Sequence, residues 1–319
     1  MKENSIAITV LMPCYNAAQY IAEAIQSVLD QTFRDFELLI VNDGSTDLTA
    51  SVVQSFTDSR IVLIEQSQQG IAAALNNGIA HARAAYIARF DADDWCTPGR
   101  LEQQYAFMLC NPAYIVIGSA ADYMDETGNY VFTHLPQAAS NADIKALSCN
   151  TCPFIHASVM YKKEVIAATG YNVHAHSFED HLLWQQLKTR GKMYNMPGRL
   201  IRVRMHPSSV TMDEKKRPAL FHQIKNKALR TGAISAGEGE QLLQLIRQQN
   251  SSPGKQGAYY SLLAKKFLWN NYNPPMARQN MKKAITLNDF DIRDYLLLLA
   301  SYLPKNIIAN LYSLFTAAR

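Results

Sequence analysis

What this chain lacks narrows its possible roles. Its 319 residues are 48% hydrophobic, yet no stretch approaches the roughly 18 consecutive apolar residues of a membrane span, so none is expected. Cysteine is scarce, odd in number and scattered (Cys14, Cys96, Cys110, Cys149, Cys152), which excludes a disulfide scaffold. Cys149-x-x-Cys152 with His156 would give three metal ligands, but a closed zinc site needs four and no second such pair occurs, so ordinary thiols are expected. The phosphate-gripping glycine motifs are missing as well. No Gly-x-Gly-x-x-Gly follows the first strand and no Gly-Lys-Ser/Thr is present, so the usual dinucleotide and P-loop sites are ruled out. The opening Met-Lys-Glu-Asn-Ser lacks a charged lead with an apolar core behind it. An intracellular, cytoplasmic chain is therefore expected.

What is present divides by charge. The net charge of +4 combines 15 Lys+Arg against 20 Asp+Glu in residues 1–212 with 16 against 7 in residues 213–319. A sign change there marks a domain boundary, with a basic second part that faces something anionic: a membrane surface, an acidic acceptor or a partner protein. No nucleic-acid motif accompanies the charge, so nucleic acid is not expected.

Strand and helix patterns alternate from the start. Ile6 to Met12, Phe36 to Val41, Ile61 to Ile64 and Tyr86 to Phe90 are short apolar, β-rich runs. Ala18 to Gln31, Thr49 to Phe56 and Gly70 to Ala84 carry apolar residues at helical spacing between them. Four β units in about ninety residues predict an α/β fold with a mostly parallel sheet wrapped by helices through right-handed crossovers. Tyr15, Asp43 and Asp91 then stand at the C-terminal ends of three strands, facing one cleft.

The cleft is acidic. Asp91, Asp93 and Asp94 follow the fourth strand, and neighbouring carboxylates raise one another's proton affinity unless splayed into water or given a cation. A hard divalent ion bound by one or two carboxylates and completed by phosphate oxygens fits this position. The plainer reading is a solvated turn capping the helix near Pro98. Asp43-Gly-Ser45 has two readings as well: a turn with Gly44 at positive φ and a Ser45 or Thr46 cap, or an acceptor for a nucleobase N–H or a ribose hydroxyl.

The segments Val10-Leu-Met-Pro-Cys-Tyr-Asn16, Val41-Asn-Asp-Gly-Ser-Thr-Asp47, Asn76-Asn-Gly-Ile79 and Phe90-Asp-Ala-Asp-Asp94 resemble, in order, the signatures of family 2 glycosyltransferases of the GT-A fold, of the bacterial surface-polysaccharide type. Ser177-Phe-Glu-Asp180, Leu183-Trp184 and Val203-Arg-Met-His-Pro-Ser-Ser-Val-Thr211 resemble the family's acidic-pair and Arg-x-His segments. The resemblance covers about residues 6–211. It departs from the family at Gln66-Ser-Gln-Gln-Gly70 and Ala74-Leu-Asn76, where an asparagine and an arginine of the usual pattern are absent. Both bear on how the donor's base and diphosphate are gripped.

The resemblance implies a Rossmann-like GT-A sheet with helices on both faces over residues 1–212, then a basic α-helical domain over 213–319. It implies an inverting, metal-dependent hexosyltransferase that moves a sugar from a nucleotide-diphosphate donor, a UDP-sugar, to a hydroxyl of a glycan or lipid-linked acceptor. Pro13, Tyr15 and Asp43 would line the base pocket, with Asn16, Asn76 and Ala92 as further donor contacts. Asp91 would face the ribose or the metal and Asp93 would be the most direct ligand of Mn²⁺ or Mg²⁺, with His206 reaching the metal or diphosphate from the far side. Asp180 would be the general base; Glu179 is the alternative, or orients the acceptor. Acids at this place also simply complement the positive end of a helix. Two rival readings remain: a non-catalytic sugar-nucleotide-binding or scaffold protein, and a nucleotidyltransferase, which would usually show a Gly-rich basic loop after the first strand.

Further along, Ile115 to Ser119 and Tyr130 to Thr133 are expected strands, His156 is expected on a strand over Phe154 to Met160, and Arg202 to His206 reads as an edge strand. After Thr211 six helices are expected, at 217–231, 239–249, 258–270, 276–287, 292–299 and 306–315, with Ser251-Ser-Pro-Gly254 as a linker. The last helix puts Ile307, Ile308, Leu311, Leu314 and Phe315 on one face, which docks on neighbouring helices. The alternative is that the basic helical part rests peripherally on the anionic inner face of the plasma membrane.

Overall fold

The computed structural model of the chain describes residues 6–207, 209, 217–250, 255–287 and 291–310. Two compact units divide it. The first comprises Met1–Ala121, Leu135–Val203 and Ala219–Leu243; the second comprises Asp122–His134, Arg204–Pro218 and Gln244–Arg319.

The first unit is built on four parallel strands, β1 (Ile8–Cys14), β2 (Phe36–Asp43), β3 (Ile61–Gln66) and β4 (Tyr86–Arg89), in spatial order β3-β2-β1-β4. Every residue of β1 and β2 is buried. That is why both are mainly apolar: a central parallel strand is covered on both faces. Helices α1 (Ile21–Leu29), α2 (Thr49–Gln54) and α3 (Ile71–His81) make the crossovers. Gly78 lets α3 press onto β1, since a Cβ there would sit 2.1 Å from Leu11 Cδ1.

Beyond β4 the sheet turns antiparallel. After β5 (Trp95–Cys96) and α4 (Arg100–Cys110) come β6 (Tyr114–Met124), β7 (Tyr130–His134), α5 (Asn141–Leu147), β8 (Met160–Lys162), α6 (Lys163–Ala167), α7 (Glu179–Leu187) and β9 (Lys192–Arg204). The order continues β4-β8-β6-β9-β5, with β7 paired to β6. The strand expected over Phe154 to Met160 is a correction: His156–Ser158 form a single 3₁₀ turn, and the strand starts only at Met160. Ser158 explains the break, because its side chain donates to Ile155 O and accepts from Ser119 N, replacing ladder bonds. The edge strand expected at 202–206 is the end of the 13-residue β9, and His206 lies past it.

One core runs through the first unit. Leu11, Leu39, Leu75, Ile79 and Ile87 of the parallel layer share it with Phe154, Leu183, Trp184 and Leu187, so α7 is anchored to the sheet by its apolar side. Helix α8 (Ala219–Thr231) packs on α7: Phe221 meets Phe178 edge-on at 6.2 Å, and Gln186 Nε2 donates to Gly232 O at 2.7 Å.

Helix α9 (Ala236–Asn250) runs from the first unit into the second. The second unit holds α10 (Lys255–Trp269), α11 (Pro274–Leu287) and α12 (Ile292–Ala300). Its core is Tyr259, Phe267, Met281 and Leu297 with Val131 and Phe132 of β7. The expected linker Ser251–Gly254 and the end of the expected last helix, with Leu311, Leu314 and Phe315, lie outside the described residues.

Candidate active site

Parallel strands share one carboxyl edge, and the loops leaving it are tied together. Asn16, in the left-handed region (φ 49°), accepts from Thr46 N at 2.8 Å, while its own N–H donates to Ser45 Oγ at 2.9 Å. Ala17 N and Ala18 N donate to Thr49 Oγ1 and Asp47 Oδ2. The β1 and β2 loops thus form one rim, with the ring of Tyr15 exposed on it. Asp43 is buried. Its Oδ1 accepts from Gln66 Nε2 (2.7 Å) and Gln69 N (2.9 Å), and its Oδ2 from Gly70 N (2.7 Å). Three donors leave roughly one of a carboxylate's four acceptor sites for a ligand. Gly70, at φ 92°, makes the turn that aims its N–H at Asp43.

At the end of β4 the chain presents Asp91, Asp93 and Asp94, one oxygen of each lying within 4.8 Å of the others. Two arginines hold this turn. Arg100, fully buried on α4, donates Nη2 to Arg89 O at 2.7 Å and Nε to Gln104 Oε1 at 3.0 Å, with its guanidinium 5.4 Å from the Phe90 ring. Arg89, buried in the strand itself, pairs through Nη1 with Asp91 Oδ2. Burial nevertheless raises the Asp91 carboxyl above its usual range, against the pull of Arg89 and with the push of Asp93 and Asp180. A half-buried acid paired with an arginine, beside two more carboxylates, is a donor set that fits a hard divalent cation sharing its shell with phosphate. Neither Arg89 nor Arg100 was marked by any spacing in the sequence; for Arg89 a basic residue inside an apolar run was the available signal.

The second acidic group arrives on α7. Ser177, at φ 68°, turns the chain sharply into the helix, a conformation unusual for serine. Glu179 is buried and Asp180 half-buried. Burial and the adjacent Asp180 push the Glu179 carboxyl up to about 8. Asp91 also raises Glu179, and Asp180 raises Asp91, so the two acidic groups share one electrostatic environment. Asp180 Oδ2 accepts from the Cys152 thiol at 3.3 Å, and Oδ1 from His181 N at 2.7 Å. Beneath it His156 Nε2 hydrogen-bonds Tyr171 Oη at 2.9 Å, with Trp184 edge-on at 6.0 Å. Burial and Arg89 keep that imidazole well below its usual pKa, hence neutral. All five cysteines are free thiols.

This arrangement has relatives. The family model for glycosyl transferase family 2 matches residues 9–170, from β1 to the loop before α7. The chain belongs to glycosyl transferase family 2. A putative glycosyltransferase, EpsE of Bacillus subtilis, is 31% identical over 230 residues, 70% of this chain and 80% of that one. Among solved structures, residues 1–349 of TarS from S. aureus in complex with UDP-GlcNAc align with TM-score 0.58 at 14% identity, over 96% of this chain and 91% of that one. The mannosyltransferase PcManGT from Pyrobaculum calidifontis, in complex with GDP-Man and Mn²⁺, aligns with TM-score 0.52 at 18% identity, over 98% and 85%. The fold is that of the GT-A transferases, with a helical C-terminal region.

The remaining expected site residues of this family 2 chain fall in different places. Pro13 and Ala92 are buried at the same carboxyl edge, in β1 and in the acidic turn. Asn76 turns inward: its Nδ2 donates to Tyr171 O and its Oδ1 accepts from Tyr171 N, both at 2.8 Å. Its amide clamps the segment that leads to the acidic pair, a job that spacing alone does not reveal. His206 belongs to the second unit, where its N–H donates to Ser209 Oγ at 3.1 Å. Positions 208 and 210–216, beside it, lie outside the described residues. Trp95 pairs with Arg202 in the β5–β9 ladder and carries its guanidinium 4.5 Å over the ring, so it anchors the turn.

Proposed function

We propose that this family 2 chain is an inverting glycosyltransferase that takes a hexosyl unit from a UDP-linked donor and delivers it to a hydroxyl of a glycan or lipid-linked acceptor. The observation that carries the reading is the electrostatic coupling of the β4 turn acids to the α7 acids: Asp91 feels Asp180, and Glu179 feels Asp91. Inversion by single displacement needs a leaving-group site and a base, and this cleft has an acidic group for each.

Tyr15 offers its exposed ring, and Pro13 its strand-end backbone, to the base of the donor. The one unused acceptor site on Asp43 faces the same ligand, with Asn16 shaping the rim. Asp93, with the second oxygen of Asp91, would hold Mn²⁺ or Mg²⁺, and Ala92 leaves room between them. Such an ion, when bound, neutralises charge on the departing diphosphate. Asp180 takes the proton of the acceptor hydroxyl, a contribution of about 10²–10⁴-fold. Glu179 holds its own proton near neutral pH. It therefore serves as a hydrogen-bond donor that orients the acceptor, and the cleft escapes a second buried negative charge. The TarS neighbour with UDP-GlcNAc and the PcManGT neighbour with GDP-Man and Mn²⁺ support a nucleotide-diphosphate donor and a metal.

The test is a donor screen that reads nucleoside-diphosphate release with and without Mn²⁺, run on the natural chain and on Asp180→Asn. Turnover should require donor, metal and acceptor together. Asp180→Asn should keep donor affinity and lose turnover by at least about 10²-fold. Full turnover in that variant ends the base assignment, and donor binding without turnover in the natural chain ends the enzymatic reading.

A further inference from the structure

Helix α12 is apolar on two sides. Leu297 is buried and faces the second unit's core, and the buried Asp294 accepts from Ser261 Oγ at 2.9 Å. On the opposite side Ile292, Leu296 and Leu299 recur at helical spacing and are 61%, 59% and 67% exposed; Tyr302, just past the helix, is 65% exposed. Scattered exposed leucines are ordinary, but one continuous strip of large apolar side chains on an element whose other side already supplies the core marks an interaction surface.

The surroundings say what kind. Between residues 255 and 310 the sequence carries eight Lys and Arg against three Asp. Asp294 is buried in its bond to Ser261, and Asp291 is engaged by Arg293 (2.8 Å) at the helix start, so the acids beside the strip are internally satisfied. Cations stand at its C-terminal end. Arg278 lies 4.7 Å over the Tyr302 ring and donates to Ser301 O, and Lys305 follows three residues after Tyr302 in the chain. A second copy docked on the same strip would bring this basic segment against itself. An anionic bilayer instead accepts both features, the apolar residues at the acyl boundary, and the tyrosine and the cations at the headgroups.

We infer that the α12 strip docks the protein peripherally on an anionic lipid bilayer. The inference does not depend on which donor the cleft takes. It is tested with the full chain and its Leu296→Glu/Leu299→Glu variant, sedimented with vesicles of equal parts phosphatidylcholine and phosphatidylglycerol and with phosphatidylcholine vesicles alone. The natural chain should pellet with the anionic vesicles only, several-fold less when salt rises from about 0.1 to about 0.5 M. The variant should bind about tenfold less, with its thermal unfolding and nucleoside-diphosphate release unchanged. Equal binding by the variant overturns the proposal, and so does a natural chain that ignores anionic vesicles. Light scattering that shows a dimer lost in the variant assigns the strip to a second copy and also overturns it.

Discussion

Replacing Glu179 with glutamine removes an ionisation while keeping shape and hydrogen-bonding reach. In the folded chain the carboxyl titrates at about 8, against an ordinary 4.5, because burial and Asp180 disfavour its charge. The folded state therefore holds a proton that the unfolded state has released, and stability falls as pH rises from the lower value to the higher. At 1.36 kcal/mol per pH unit, that interval is worth up to about 5 kcal/mol, shared with Asp180. Below the unfolded pKa the natural chain and Glu179→Gln should be about equally stable. By pH 8.5 the variant should be the more stable by several kcal/mol, and above that the difference should be flat. The assay is urea unfolding from pH 4.5 to 9 in the presence of a chelator, so that no bound cation changes the balance. Parallel pH profiles for the two proteins would refute the argument, since they would mean that Glu179 is ionised in the folded state. Activity gives a second reading. A protonated Glu179 is a donor, so Glu179→Gln should keep more turnover than Asp180→Asn at neutral pH.

Other outcomes follow from single contacts. Arg100→Met should lower unfolding free energy by about 3 kcal/mol, because the buried carbonyl of Arg89 loses a charged donor under the acidic turn; denaturant titration measures it. Cys152→Ala removes the thiol that donates to Asp180 and should lower kcat about two- to tenfold with KM little changed, while Cys152→Ser restores it. Asn76→Ala breaks both bonds to the Tyr171 backbone and should cost about 2 kcal/mol in the same titration. Asp93→Ala should abolish the stimulation of nucleoside-diphosphate release by Mn²⁺ while leaving thermal unfolding near that of the natural chain.

Much of the parallel half was legible because its signals are local. The apolar runs of β1, β2 and β4, the helical spacing in α1 and α3, and the acids after Phe90 all lie within a few residues of the features they specify. The antiparallel half was less so. A strand was expected around His156, where apolar and small residues alternate, but Ser158 uses its hydroxyl to replace the ladder and leaves a 3₁₀ turn. Only the end of β9 was expected as a strand; Pro197 and Gly198 lie inside it, two residue types that weaken a strand pattern.

By itself, the sequence determined the alternation of strand and helix, the run of carboxylates at one strand end and the acidic pair before Leu182, since periodicity and turn chemistry act over a few residues. The tertiary structure alone decided what each polar group faces. Asn76 meets a backbone 95 residues away, Cys152 reaches Asp180 across 28, and the guanidinium of Arg100 comes to lie under Arg89. Those partners are chosen by burial: a polar atom sealed from water must find whichever complementary group the packing brings near, and no local pattern records which one that is.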